Sequence, residues 1–113
     1  MAFLTWDDRQ RLAALDRAND ARRKGRLLRT AIHDARGNGG RLAADVVITG
    51  DSAMEFERLL CAVLHVGHSR AGAMLNVAEI QPNERVDSPF VTRRQRLALA
   101  DELRKFADRW RDA

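Results

Sequence analysis

The chain has 113 residues, of which 20 are lysine or arginine and 16 are aspartate or glutamate, so its formal net charge is +4. This length fits one domain with one core, which Leu, Ala, Val and Ile must build because aromatic residues make up only 5% of the chain. A single cysteine excludes an intrachain disulfide framework, and no apolar run approaches the roughly 20 residues of a transmembrane helix, so we expect a soluble, cytoplasmic protein with an anionic partner.

The first 36 residues carry the pattern of one long helix. Thr5 and Asp8 form a capping box, and no proline follows before about Arg36. Apolar side chains recur at helical spacing at Leu12, Leu15, Leu27, Leu28, Ala31 and Ile32. One turn between them is crowded with Arg22, Arg23, Lys24 and Arg26. Such a helix is roughly 45 Å long, so we expect its N-terminal half to project or lie along the outside and its Leu27–Ile32 end to dock.

A glycine-rich break follows this helix. Because glycine and asparagine tolerate positive φ, the first helix should stop at Gly37, Asn38, Gly39 and Gly40. The next segment, through Leu42, Val46 and Val47, predicts a short helix, although its β-branched residues are also compatible with a strand. Helix is favoured because the chain offers no second clear strand for pairing.

Two further helices joined by a tight turn are predicted next. A capping box of Ser52 and Glu55 should open a third helix near Ala53. Its apolar stripe contains Phe56, Leu59, Leu60, Val63 and Leu64. This helix should run to Gly67, and a fourth helix should follow and end near Ala78.

A third capping box, formed by Thr92 and Gln95, predicts a last helix after a polar stretch from Gln81 to Pro89. The helix propensity of Ala, Leu and Arg agrees with helices throughout. The predicted fold is therefore all-α, with one domain that consists of a long basic helix over residues 1–36, a helical-hairpin core over 52–86 and a C-terminal helix over 92–110.

The turn before the fourth helix is the first candidate binding site. A glycine at position 67 lets the backbone approach a ligand, and the first-turn amides of a helix, here including His68, are donors with partial positive charge. Ser69, which is placed to cap the helix, adds a hydroxyl and Arg70 a permanent cation. These groups suit a contact with a DNA phosphate that recognises no base. The alternative is that Gly67 is only a turn residue between packed helices.

Metal binding and catalysis are both disfavoured. Cys61, His65 and His68 are spaced so that helix geometry brings them near one another, and three such ligands suit zinc. No fourth ligand is evident, however, and Cys61 lies close to the apolar stripe, so we expect no metal and no cofactor. No nucleophile elbow, P-loop or dinucleotide pattern is present, and we therefore expect no enzyme.

Residues 58–86, RLLCAVLHVGHSRAGAMLNVAEIQPNERV, resemble the helix-two-turn-helix region of the actinobacterial, or mycobacterial-type, integration host factors. Residues 9–32, RQRLAALDRANDARRKGRLLRTAI, are similar to that family's long basic first helix, and 93–106, RRQRLALADELRKF, to its C-terminal helix. The resemblance covers most of the chain and is weakest over 37–57. Its most specific parts are the Val66–Gly67 turn and the exit at Ile80 to Pro82.

The resemblance implies a monomeric, nucleoid-associated protein that binds duplex DNA with little sequence preference, bends or compacts it, and assists recombination or chromosome organisation. By the same resemblance, the amides of Gly67, His68 and Ser69 and the side chain of Arg70 would contact phosphates, and Arg85 would lie near the minor groove. This chain departs from the family pattern at two points. His68 stands where the family usually has a lysine, and Glu84 and Asp87 interrupt the family's arginine cluster, which weakens the case for minor-groove insertion and full bending.

Two other basic groups are DNA-contact candidates. Arg22, Arg23 and Arg26 lie on the long helix, where a charge run is otherwise a solvated face. Arg93, Arg94 and Arg96 open the last helix, where cations oppose the helix dipole unless something anionic compensates them. The alternative for these three arginines is pairing with nearby acids such as Asp87.

Two rival functions remain open from the sequence. The long amphipathic helix, with Phe3 and Trp6 near its start, also suits a protein-interaction module of a recombination or regulatory complex. Helical hairpins of this type also bind structured RNA by its backbone. Competition between duplex DNA and structured RNA separates these functions.

Overall fold

A computed structural model describes residues 5–111, and the predicted all-α class is confirmed over that range. Its five α-helices are α1 (Trp6–Asp34), α2 (Gly39–Thr49), α3 (Phe56–Cys61), α4 (His68–Ala78) and α5 (Arg93–Arg111). A short 3-10 turn, Arg36–Asn38, joins α1 to α2. Within the same described range, no helix has both the length and the apolar character needed to cross a membrane.

Helix α1 is long and, among the described residues, packs on the rest of the molecule through its second half. The predicted capping box is confirmed, because the Asp8 amide donates to Thr5 Oγ1 at 3.2 Å and the Thr5 amide donates to the Asp8 carboxylate at 3.3 Å. Nearly every residue between 5 and 17 is exposed, and the molecule measures 65 × 29 × 22 Å. Ile32 is fully buried, but Leu27 is exposed. The expected docking of the Leu27–Ile32 end therefore holds for Ile32 and is wrong for Leu27.

The break between α1 and α2 differs from the prediction in its physical cause. The residue with positive φ is Arg36, at 51°, whereas Gly39 is helical and belongs to α2 together with Gly40. A Cβ on Gly39 would lie 2.6 Å from the Ile32 carbonyl oxygen, and one on Gly40 would lie 2.8 Å from the Leu103 carbonyl oxygen. These two glycines thus permit close helix packing, and α2 is the predicted helix and not a strand.

The start of α3 corrects the second predicted capping box. Glu55 is extended and pairs with Arg85 in an isolated antiparallel bridge, so α3 begins at Phe56 and not near Ala53. The Phe56 amide donates to the Glu84 carbonyl at 2.9 Å. Ser52 Oγ instead accepts the Met54 amide at 3.2 Å. A backbone pairing across the fold therefore replaces the local cap.

Helix α3 is also shorter than predicted, because it ends at Cys61 and turns fill residues 62–67. His65 has a φ of 68° within this connection. Ser69 lies inside α4 and does not cap it, since the N-cap residue is Gly67.

Helix α5 carries one side of the core. Its predicted capping box is confirmed by hydrogen bonds from the Thr92 amide to Gln95 Oε1 at 2.8 Å and from the Gln95 amide to Thr92 Oγ1 at 3.2 Å. The buried residues of this helix are Leu99, Ala100, Leu103, Phe106 and Ala107. They pack on α2 and α4, and the largest buried side chains around them include Ile32, Val47, Phe56, Leu59, Leu60 and Leu75.

Candidate nucleic-acid interface

A basic cleft lies between the second half of α1 and the α2–α3 connection. Its volume is about 900 Å³. The basic residues that line it are Arg17, Arg22, Lys24, Arg26, Arg29 and Arg58, and the acidic ones are Asp20, Asp51 and Asp87. Six cations against three carboxylates leave an excess of three positive charges. The concave shape and this charge excess suit a polyanion.

Helix geometry explains why these arginines share one surface. Arg22, Arg26 and Arg29 are four and three residues apart, so they follow one face of α1. At the position of Gly25, a Cβ would lie 3.5 Å from Met54 Cε, so the α2–α3 connection closely approaches α1 there. Arg58 lines the same cleft from α3.

A second cleft extends the basic surface toward α4. Its volume is about 520 Å³, and it shares Arg26, Arg29 and Arg58 with the basic cleft before it reaches Cys61. Cys61 Sγ lies 3.8 Å from His68 Nδ1, and His68 is the first residue of α4. The second cleft thus runs from the α1 arginines to Cys61, whose thiol lies next to the first side chain of α4.

The turn before α4 leaves backbone donors free. The first backbone hydrogen bond of α4 runs from the Ala71 amide to the Gly67 carbonyl at 2.9 Å. The amides of His68, Ser69 and Arg70 consequently have no acceptor within residues 5–111. Apart from the chain neighbours of Gly67, no atom of residues 5–111 lies within 4 Å of a Cβ built at that position, so a side chain there would meet open space.

The backbone at Gly67 is ordinary. Its φ of −92° and ψ of −178° are extended and accessible to any residue, so glycine is not required there for an unusual conformation. The residue with positive φ in this connection is His65. Among the described residues, a Cβ at position 67 would meet no atom beyond its chain neighbours within 4 Å, so neither backbone conformation nor packing requires glycine at this turn.

Two side chains at this turn are already engaged. His68 Nδ1 lies 2.6 Å from Glu57 Oε1, which brings a carboxylate to the positive end of α4. The Arg70 guanidinium lies over the Phe106 ring, 5.2 Å from its centroid. The backbone amides of His68, Ser69 and Arg70 remain as donors at this turn, beside the Glu57 carboxylate.

His65 and Cys61 do not meet as the sequence spacing suggested. The His65 ring stacks on Trp110 with centroids 4.1 Å apart. Cys61 instead lies near His68 and Glu57, and burial, followed by the negative charge of Glu57, raises the pKa of the Cys61 thiol. Glu57 was not recognised from the sequence, although it precedes Cys61 by one helical turn.

The remaining predicted arginines have separate surroundings. Arg85 pairs with Asp87 at 2.8 Å, and Asp87 lines the basic cleft. Arg93 and Arg94 are exposed at the start of α5 and line neither cleft. On α1, Arg23 pairs with Asp20 at 3.0 Å and therefore holds its charge next to a carboxylate.

Arg96 is a structural residue, which overturns its candidacy for DNA contact. Its guanidinium donates to three backbone carbonyls: Val47 at 3.0 Å, Val86 at 2.6 Å and Ser88 at 2.9 Å. The anticipated alternative, a pairing with Asp87, is also absent from the described residues. Arg96 ties α2 and the 86–88 turn to α5.

Sequence reasoning missed Arg17, Arg29 and Arg58 as members of the basic cleft. The four-and-three spacing of Arg22, Arg26 and Arg29 was the one available signal for Arg29. Arg58 could be assigned only after the structure placed α3 along the same clefts as α1.

In comparisons with known proteins, no family model, no curated protein and no solved structure matches this chain.

Proposed function

We propose that this protein binds duplex DNA through its phosphate backbone, in the manner of the integration host factors that its sequence resembles. It would act as a nucleoid-associated monomer that organises or bends DNA and assists recombination. The observation that carries the proposal is the basic cleft, in which six cations from α1 and α3 face three carboxylates. Arginine suits this task because its planar guanidinium donates two hydrogen bonds to one phosphate.

The proposed contacts position DNA without reading its sequence. Arg26, Arg29 and Arg58 would hold one stretch of backbone, and the free amides at the start of α4 would hold a further phosphate. Phosphate contacts carry no direct sequence information, so little sequence preference is expected. Bending should be limited, because the charge of Arg85 is paired with Asp87.

The test is a titration of a random DNA duplex at roughly 50 and 200 mM salt, because phosphate contacts release counterions. We expect affinity to fall at least about tenfold between these salt concentrations. The double variant R26Q/R29Q should bind more weakly, and its log–log salt slope should be shallower by about 1.8 for two lost contacts. The matched control is R104Q/K105Q, which removes two exposed cations of α5 that line neither cleft.

Both variants should retain the helical circular dichroism spectrum of the parent chain. Salt-independent binding, or equal weakening by the two double variants, would contradict a site in the basic cleft. Structured RNA that competes better than duplex DNA would assign the same cleft to RNA.

The second candidate is a protein-interaction module. Trp6 is 72% exposed on the N-terminal half of α1, and Leu12 and Leu15 are also exposed, as a partner-binding helix requires. Phe3, the other residue considered for this role, lies outside the described residues. A folded protein that binds neither duplex DNA nor structured RNA would favour this candidate.

A further inference from the structure

Three potential metal ligands from two helices converge beside the basic surface. Glu57 and Cys61 lie one turn apart on α3, and His68 is the first residue of α4. The carboxylate oxygen, the thiol sulfur and the imidazole nitrogen all lie within 4.8 Å of one another. The short connection between the two helices holds these donors together, so the cluster belongs to the folded chain and not to one flexible segment.

One separation in the cluster is close to that of a zinc site, and a second is shorter because of a hydrogen bond. Two ligand atoms at tetrahedral angles around zinc lie roughly 3.3–3.6 Å apart for zinc bonds to nitrogen, oxygen and sulfur. The Cys61 Sγ to His68 Nδ1 distance is 3.8 Å. The Glu57 Oε1 to His68 Nδ1 distance is 2.6 Å, because these atoms share a hydrogen bond. The His68 side chain is 83% exposed, so a small rotation can open this pair around an ion.

We propose that Glu57, Cys61 and His68 bind one zinc ion. The ligands are the Cys61 thiolate, His68 Nδ1 and a Glu57 carboxylate oxygen, and the thiol proton passes to solvent as the sulfur coordinates. Thiolate, imidazole and carboxylate are the donors that zinc prefers, and a three-ligand set leaves a fourth position for water or another small ligand. The two anionic ligands offset the two positive charges of the ion.

This site differs from the set that helix spacing suggested. His65, the residue four positions after Cys61, stacks on Trp110 and does not join the cluster. His65 therefore provides a matched control for His68. Asparagine is suited to both positions, because it tolerates the φ of 68° at His65 and cannot replace an imidazole as a zinc ligand.

The experiment uses the full chain, first stripped of metal with a chelator, and two probes. Zn²⁺ is titrated by calorimetry, and Co²⁺ is added as a spectroscopic substitute whose thiolate charge-transfer band reports on sulfur coordination. We expect one ion per chain and a thiolate band. C61S and C61A should abolish the band, H68N and E57Q should weaken binding at least about tenfold, and H65N should bind like the parent.

These measurements do not depend on DNA, so the zinc proposal and the DNA proposal fail independently. A folded parent chain that binds no Zn²⁺ would overturn the proposal. It would also be overturned if Co²⁺ bound without a thiolate band, or if H65N weakened binding as much as H68N. Circular dichroism of each variant shows whether it is folded. Two different substitutions of Cys61 are used so that the test can still be made if one of them unfolds the chain.

Discussion

The pentapeptide RQRLA occurs twice, at residues 9–13 in α1 and at 94–98 in α5. Both copies lie near a helix N-terminus with a threonine capping box. In α1 its second arginine, Arg11, is exposed, whereas in α5 the same residue, Arg96, donates to three backbone carbonyls. The same local sequence forms a helix in both places, and the surroundings alone decide whether its arginine faces solvent or supports the fold.

The two helices are also stabilised differently. Helix α5 packs on α2 and α4, so tertiary burial maintains it. Among the described residues, the N-terminal half of α1 has no such neighbours and depends on its capping box, while exposed pairs such as Arg23–Asp20 and Lys24–Asp20 support the middle of the helix. Because isolated helices are only marginally stable in water, this half of α1 should be the less stable region.

The largest expected contrast concerns one leucine from each helix. Leu103 of α5 is fully buried, and Leu103→Ala should lower the free energy of unfolding by about 2–5 kcal/mol through lost contacts and a cavity. Leu15 of α1 is 52% exposed, and Leu15→Ala should change the free energy of unfolding by less than about 0.5 kcal/mol. Urea denaturation of both variants measures the contrast. Similar losses would mean that the N-terminal half of α1 docks on the core.

The second contrast compares the two arginines of the repeated pentapeptide. Arg96→Met keeps much of the side-chain volume but removes the donors for three carbonyls, so we expect a loss of about 2–4 kcal/mol in the free energy of unfolding. Arg11→Met should cost less than about 0.5 kcal/mol. Thermal or urea denaturation measures both. If Arg96→Met were equally harmless, water would have to satisfy those carbonyls.

Features that depend on local sequence were predicted well. The capping boxes at Thr5 and Thr92 formed because their partners lie three residues away, and Gln95 keeps its box even though its amide nitrogen also donates to the Glu79 carbonyl. The box at Ser52 did not form, because Glu55 pairs with Arg85, thirty residues further along the chain. Likewise, the glycines at the α1–α2 junction were recognised as special, but their role in close packing appears only once Leu103 lies beside Gly40.

The candidate site was less predictable than the fold, because it combines residues that are distant in sequence. Arg22 and Arg26 were identified from local charge density, whereas Arg58 joins them only because the tertiary fold places α3 along the same cleft as α1. The same reasoning applies to the proposed zinc ligands. Helix spacing pointed to His65, but the positive φ at that residue turns the chain and its ring stacks on Trp110.

The smallest expected effect concerns the exposed charges that support α1. A hydrogen bond from Arg23, and then one from Lys24, lowers the pKa of Asp20 below its ordinary value of 3.8. A lowered pKa in the folded state means that this pairing stabilises α1 above the unfolded-state pKa and is lost as the pH falls through the folded-state pKa. Carboxyl NMR shifts should therefore show Asp20 titrating below its ordinary value.

Because the pairs are exposed, their loss should fray α1 only slightly and leave α5 intact. In Asp20→Asn, the amides of α1 near residue 20 should exchange slightly faster at neutral pH, and their protection should no longer fall when the pH drops through the pKa of Asp20. Asp101→Asn, which removes the exposed Lys105–Asp101 pair from α5, is the matched control and should leave amide exchange nearly unchanged, since burial maintains that helix. An ordinary or raised pKa at Asp20 would show that Arg23 and Lys24 do not pair with it in solution, which would leave both cations free for phosphate.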